Sequence, residues 1–281
     1  VPDLKGNIWV GSYGDGLSMI DSETGEVIPI NLPGLEGNKS SLLLQDIFCD
    51  SSGILWIATD GAGVIRYDPK AKQAKAFLNE TNNPSTLSHN YISKIKDGGN
   101  GILWVTTYGR GISRFDIKTG KFTRFANNLI HSDRKSENEI WSSLYEPDGT
   151  LWLGYWGRGL AKYNTLKDEI TFVGKPLDKG DLSSKIVLAI FRDRSGVLWV
   201  GTSEGGLNKI TEGKVEEIVV KSAFGKELKV STFHSLQNGK ILTGTDNGLY
   251  LFDRNMIVER EINVGLEENN ITTIAKYRDN F

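Results

Sequence analysis

Cysteine is all but missing from this chain. Cys49 is the only one among 281 residues, so no disulfide can form within the molecule and cysteine usage leaves the compartment open. Histidine is nearly as scarce: His89, His131 and His234 fall far apart without metal-ligand spacing, and neither a metal nor a cofactor is expected. Charge of one sign is lacking too, since 33 basic against 35 acidic side chains leave a net charge of −2. No global field therefore favours nucleic acid or an anionic membrane. No apolar run approaches bilayer length, which excludes direct membrane insertion through a helix. The chain has no serine elbow, Cys/His pair or phosphate loop, and its glycine-rich turns join strand to strand, which excludes a nucleotide fingerprint by context. There is no signal segment; the chain starts in mid-motif at Val1, as a mature or excised piece would.

What is present is a repeat. The copies read GNIWVGSYGDGL from Gly6, GILWIATDGAGV from Gly53, GILWVTTYGRGI from Gly101, GTLWLGYWGRGL from Gly149, GVLWVGTSEGGL from Gly196 and a weaker GKILTGTDNGL from Gly239. Phased on Trp9, Trp56, Trp104, Trp152, Trp199 and Leu242, the steps are 47, 48, 48, 47 and 43 residues. A period of this length built of short strands means propeller blades. The second unit shows four strands, at Leu44 to Asp50, Ile54 to Thr59, Val64 to Asp68 and Ala74 to Leu78, with turn residues between them. An antiparallel meander of this size cannot cover both its faces, so blades must stack. The expected fold is all-β: a single β-propeller domain over residues 1–281, with six four-stranded antiparallel repeats, closed as six blades or part of a seven-bladed ring. Residues 1 to 7 enter directly into the tryptophan strand, and Ile271 to Tyr277 looks like an inner strand with nothing after it. Pairing of the two would complete the first blade.

The tryptophans share one register and apolar flanks. Burying an indole of roughly 200 Å² at about 25 cal/mol/Å² is worth on the order of 5 kcal/mol as an upper bound, which accounts for its recurrence. They are read as blade packing, and Trp141, placed at the column of Ile92, is read as core as well. The columns after the tryptophan behave differently. Four residues on stand Tyr13, Asp60, Tyr108, Trp156, Ser203 and Asp246; six on, Asp15, Ala62, Arg110, Arg158 and Gly205. Their chemistry changes from blade to blade while the glycine turn stays constant, so they are free to serve a ligand. In an up-and-down blade this turn shares an edge with the connection to the next inner strand, which puts all six at one mouth of the channel. Tyr13, Asp15, Tyr108, Arg110, Tyr155, Trp156 and Arg158 are the candidate ligand-binding residues, aromatic faces for stacking and guanidinium forks for acidic groups. One carboxylate per blade, at Asp15, Asp60, Glu204 and Asp246, is weak as a cation site.

The repeat, a glycine, one residue, then Leu-Trp-Ile/Val-Gly-Thr, a short glycine turn and Gly-Leu, resembles the two-component regulator propeller repeat. Asn83 to Ser88 and Asp181 to Ser184, ahead of inner strands, look like this family as well. The resemblance implies a periplasmic or otherwise extracytoplasmic sensor region of a hybrid two-component system, of the kind that detects breakdown products of complex carbohydrates. Propellers of that family usually have seven blades against six repeats here, and the family's kinase, receiver and DNA-binding parts are missing. The expected function is non-catalytic recognition, with an oligosaccharide as ligand and flanking sensor or kinase domains, or a homodimer partner, as protein contacts. Two alternatives stand beside it: a propeller-type polysaccharide lyase using His89, His131 and Arg110 or Arg158, and a protein-binding scaffold.

Overall fold

Short apolar runs punctuated by glycine and aspartate turns fold locally into antiparallel meanders. The computed structural model describes all residues except 126–138, 174–180, 205, 222–224, 226, 237, 254–256, 263–269, 273 and 275–281. Six sheets result. The first contains β1 (Ile8–Gly11), β2 (Leu17–Ile20) and β3 (Val27–Ile30); the second β4 (Leu44–Cys49), β5 (Leu55–Thr59), β6 (Val64–Asp68) and β7 (Gln73–Phe77). The third holds β8 (Ile92–Asp97), β9 (Ile102–Thr107), β10 (Ile112–Asp116) and β11 (Lys121–Phe125); the fourth β12 (Ile140–Tyr145), β13 (Thr150–Tyr155), β14 (Leu160–Asn164) and β15 (Glu169–Val173). The fifth is β16 (Val187–Arg192), β17 (Leu198–Thr202), β18 (Leu207–Thr211) and β19 (Lys214–Ile218), and the sixth β20 (Val230–Ser235), β21 (Ile241–Thr245), β22 (Gly248–Phe252) and β23 (Val258–Ile262). Strands pair in chain order, and the only helical turn among the described residues is a 3-10 turn at Lys39–Leu42. The architecture is a six-bladed β-propeller. The chain divides into two compact units, chiefly Val1–Ile140 with the first three blades and chiefly Thr150–Ile274 with the last three.

The phase-marking tryptophans lie on the second strand of each blade, between two neighbours, and are buried to between 1% and 7% exposure. In the first unit Trp56 meets Phe115 edge-on at 5.2 Å, within a cluster that includes Ile92, Val105 and Phe122. In the second, Trp199 packs with Leu207, Tyr250 and Phe252. Each indole also has a polar end to satisfy, and three blades solve this alike. Asp50 accepts the Trp56 Nε1–H at 2.9 Å with one oxygen and the amides of Ser52 and Ile54 with the other. Asp193 does the same for Trp199 at 2.8 Å with Ser195 and Val197, and Asp3 for Trp9 at 3.0 Å with Lys5 and Asn7. The pattern Asp-x-x-Gly-x-x-Trp is thus one structural device: the carboxylate closes the turn between first and second strands and pins the indole. In the third blade Gly98 replaces the acid, and a Cβ there would lie 2.8 Å from the Trp104 ring.

This device makes stability depend on pH. Desolvation is the largest influence on the Asp193 carboxyl and pushes it up, but the donors from Ser195, Trp199 and Val197 outweigh it, and the pKa falls below the usual value. A carboxylate depressed in the folded state stabilises above its unfolded pKa of about 3.9, and that contribution is lost as pH falls through the lower folded value. Urea midpoints are therefore expected to fall below about pH 4 more steeply for the wild type than for Asp193→Asn; parallel pH profiles would remove Asp193 from this role.

The ends differ from the sequence expectation. Val1 and Trp9 exchange backbone hydrogen bonds, at 2.7 and 2.8 Å, and Pro2 bridges Ile8. Val1 and Pro2 therefore stand where Phe48 and Cys49 stand in the second blade, so the inner strand of the first blade is not absent: its last two residues are present. At the other end the Ile271 amide donates to Thr245 at 2.9 Å, as Leu44 does to Ser12. Ile271 thus takes the first position of an inner strand, and the remainder of the expected pairing, 275–277, lies outside the described residues.

Candidate functional site

Five of the six second-to-third strand turns are built the same way. Thr59, Thr107, Thr202 and Thr245 turn their hydroxyls onto the carbonyls of Gly63, Gly111, Gly206 and Gly248, and Ser12 does so to Gly16. Gly63 must be glycine: its φ is +69°, and a Cβ would sit 2.1 Å from the Phe77 carbonyl oxygen. The residue after each hydroxyl then pairs with the residue just ahead of the next inner strand. Tyr13 bridges Leu43, Asp60 bridges Tyr91 and Tyr108 bridges Glu139; in the second unit the Ser203 amide donates to Ile186 and that of Asp246 to Lys229. Within each unit, then, the variable turns and the interblade connections share one edge.

On the first unit this edge gathers aromatic side chains around a carboxylate. Tyr13 is 62% exposed and its hydroxyl donates to Asp60 Oδ2. That hydrogen bond, followed by the charge of Asp60, raises the Tyr13 pKa. Tyr91 is 47% exposed and stacks on His89 at 4.9 Å between ring centres. Tyr108 is half-buried and donates to Gln45 Oε1 at 3.4 Å. Burial, then the charges of Asp60 and Glu139, push its phenol up to about 12. Deeper, Asp46 accepts the Ile95 amide at 3.0 Å and holds Lys94 at 3.8 Å and Lys96 at 3.9 Å. Asp15 and Arg110 are exposed on their turns, and neither makes a side-chain hydrogen bond or ion pair among the described residues.

The fourth blade, on the second unit, departs from the pattern. Tyr155 takes the column of the turn hydroxyl and is not on the rim: it is 1% exposed, its ring lies 5.7 Å from Phe172, and its hydroxyl finds no hydrogen-bond partner among the described residues. A phenol at the last position of β13 follows the interior direction that threonine follows elsewhere, but it is too long to reach the turn carbonyl and packs inward. Burial raises its pKa. Arg158 lies over the Phe172 ring at 4.3 Å and over Tyr155 at 5.6 Å. Trp156 stacks on Trp141 at 4.3 Å, both half-buried. Trp141 is accordingly not the core residue expected; Ile140, fully buried, takes the Ile92 column one position earlier.

Of the seven candidates, Tyr13 and Tyr108 meet around Asp60, and Trp156 and Arg158 lie beside the buried Tyr155. Asp15 and Arg110 stand alone on their turns. The sequence reading passed over Tyr91 and Gln45; it placed Asp60 in the variable turn column and weighed it as a weak cation donor, but left it out of the seven candidates. The signal for Tyr91 was its place directly ahead of an inner strand, opposite a turn residue. His131 lies outside the described residues. Phenol faces beside a carboxylate can stack on a flat or cationic group while accepting hydrogen bonds from it.

The family model described as two component regulator propeller matches residues 181–204. No curated protein matches the chain at a significant level. Among solved structures, the extracellular domain of BT3049 from B. thetaiotaomicron, described as a hybrid two component system, is 22% identical with a TM-score of 0.76, over 99% of this chain and 36% of that one. The extracellular domain of BT4673 from the same organism, described as a one component system, is 25% identical with a TM-score of 0.73, over 94% and 36%. Virginiamycin B lyase from Staphylococcus aureus, in a catalytically inactive form with quinupristin, is 17% identical with a TM-score of 0.72, over 95% and 84%. The chain spans about a third of the length of the two extracellular domains. No helix among the described residues is long and apolar enough to cross a membrane.

Proposed function

We propose that this chain, which belongs to the two-component regulator propeller family, is a non-catalytic recognition domain: the periplasmic sensor part of a hybrid two-component regulator, with an oligosaccharide as its ligand. The observation that carries this reading is the Tyr13–Asp60 pair. A tyrosine 62% exposed and tied by its hydroxyl to a carboxylate of the next blade contributes little to packing, yet it offers a flat face and acceptor oxygens together. The extracellular placement of the structural neighbours supports the location, and the hybrid two component description of BT3049 supports the signalling role. Signalling requires that ligand favour one arrangement of flanking sensor or kinase domains, or of a second copy, over another. The lyase alternative needs a histidine free to reach a ligand, and His89 is stacked on Tyr91.

Tyr13→Ala tests this reading. Exposed positions change stability by less than about 0.5 kcal/mol, whereas loss of a stacking tyrosine at a binding hot spot is expected to weaken affinity about tenfold. Isothermal titration of an oligosaccharide panel against wild type and variant measures both binding and its loss. Wild-type affinity in the variant would move the site away from this edge.

A further inference from the structure

Among the described residues Asp60 has no counter-ion. Its Oδ2 accepts the Tyr13 hydroxyl, and no basic group lies within ion-pair distance of it among the described residues. Lys94 and Lys96 sit on Asp46 instead. Three phenols flank Asp60: Tyr13, Tyr91, whose Cε1 lies 3.7 Å from the place of a Cβ on Gly61, and Tyr108, on which the negative charges of Asp60, Glu139 and Asp46 all act. Aromatic rings present a negative face, and a carboxylate with no counter-ion among the described residues adds its own charge to that field. A neutral sugar hydroxyl would use the stacking and the acceptor but not the uncompensated charge. A protonated amine uses all three, through cation–π contact with the rings and a charge-assisted hydrogen bond to the carboxylate.

We propose that the group recognised at Asp60 is an ammonium, and that the ligand is an oligosaccharide carrying unsubstituted amino sugars. The proposal rests on the oligosaccharide reading above and adds Asp60 and Tyr91 to the residues that decide specificity. Asp15 and Arg110, exposed on neighbouring turns, carry opposite charges, and the His89 ring packs against Tyr91 at 4.9 Å between ring centres.

The experiment compares three probes by isothermal titration: tri-glucosamine, its N-acetylated counterpart, and trilysine. The first two share the sugar backbone and differ at the nitrogen, a charged amine in one and a neutral acetamide in the other, so an Asp60 variant isolates the charge. Wild type is expected to bind tri-glucosamine about tenfold more tightly than the acetylated form, with the preference shrinking as salt rises. Asp60→Asn keeps an acceptor for Tyr13 while removing the charge; it is expected to erase the preference by weakening tri-glucosamine about tenfold, with an unchanged melting temperature showing that the fold is intact. Equal binding of both sugars with no effect of Asp60→Asn overturns the ammonium and leaves the oligosaccharide sensor standing. Binding of neither sugar overturns both. Trilysine binding as tightly as tri-glucosamine, with the same dependence on Asp60, overturns the sugar as the amine's carrier.

Discussion

Trp56→Ala is expected to lower stability by about 3 to 5 kcal/mol, the range for truncating a large buried aromatic side chain. The indole is 1% exposed and bounded by Phe115 at 5.2 Å and Phe77 at 6.1 Å, so little of the cavity can close. Truncation also takes from Asp50 the only side-chain donor to its Oδ2 among the described residues, and a partly buried carboxylate that loses a partner adds a desolvation penalty to the cavity. Trp56→Phe separates the two. It refills most of the volume but cannot donate, so it is expected to recover most of the loss and to fall short of wild type by about 1 kcal/mol. Urea denaturation of the three proteins measures both differences; a midpoint unmoved by Trp56→Ala would mean that the recurring tryptophan is not what holds the blades.

Because each blade solves the same packing problem, the solution repeats and can be read from the chain: the tryptophan column, the glycine turn and the strand order all follow from the period. The spacing also carried the aspartate ahead of the tryptophan, but its role was hidden, since a turn aspartate looks alike whether it caps amides or also accepts an indole. Single-residue phase was the weaker point. Leu44/Asp46, Ile92/Lys94, Val187/Ala189 and Val230/Thr232 each carry a register shift against the second strand, so inner strands do not alternate strictly. With alternation broken at the first residues, Trp141 was taken for the core position that Ile140 holds.

The site was legible as columns and illegible as contacts. Variation at the turn marked Tyr13, Asp60 and Tyr108, and the shared edge of turn and connection follows from the meander. Which side chains meet there depends on the neighbouring repeat: Tyr13 finds Asp60 across 47 residues and Tyr108 finds Gln45 across 63. Tyr155 shows the opposite error. A column that varies need not face solvent, because the hydroxyl it replaces was itself directed inward at a glycine carbonyl.

Gly201→Val is expected to cost about 3 kcal/mol or more, at the upper end for overpacking, although nothing in the backbone conformation of this strand residue demands glycine. The demand comes from the next blade. A Cβ on Gly201 would lie 2.4 Å from the Val230 carbonyl oxygen and 2.9 Å from its Cγ1, at the first residue of β20. A backbone oxygen cannot swing aside as a side chain can, so β20 must shift as a whole and loosen its ladder with β21. The column repeats the arrangement: a Cβ on Gly154 would meet Val187 at 2.6 Å, and one on Gly244 would meet Ile271 at 2.6 Å. Ala58 and Thr106 hold the same column in the second and third blades, where Thr106 instead shares a hydrogen bond with Ser93 at 2.9 Å. Thr106→Val therefore serves as the control, expected to lose about 1 kcal/mol through the hydroxyl's hydrogen bonds with Ser93 and the Lys94 carbonyl. Urea midpoints for Gly201→Val and Thr106→Val decide the matter. A smaller loss for the glycine variant than for the threonine one would mean that the inner strand of the sixth blade can move outward without cost, and that the close approach is not what keeps this column small.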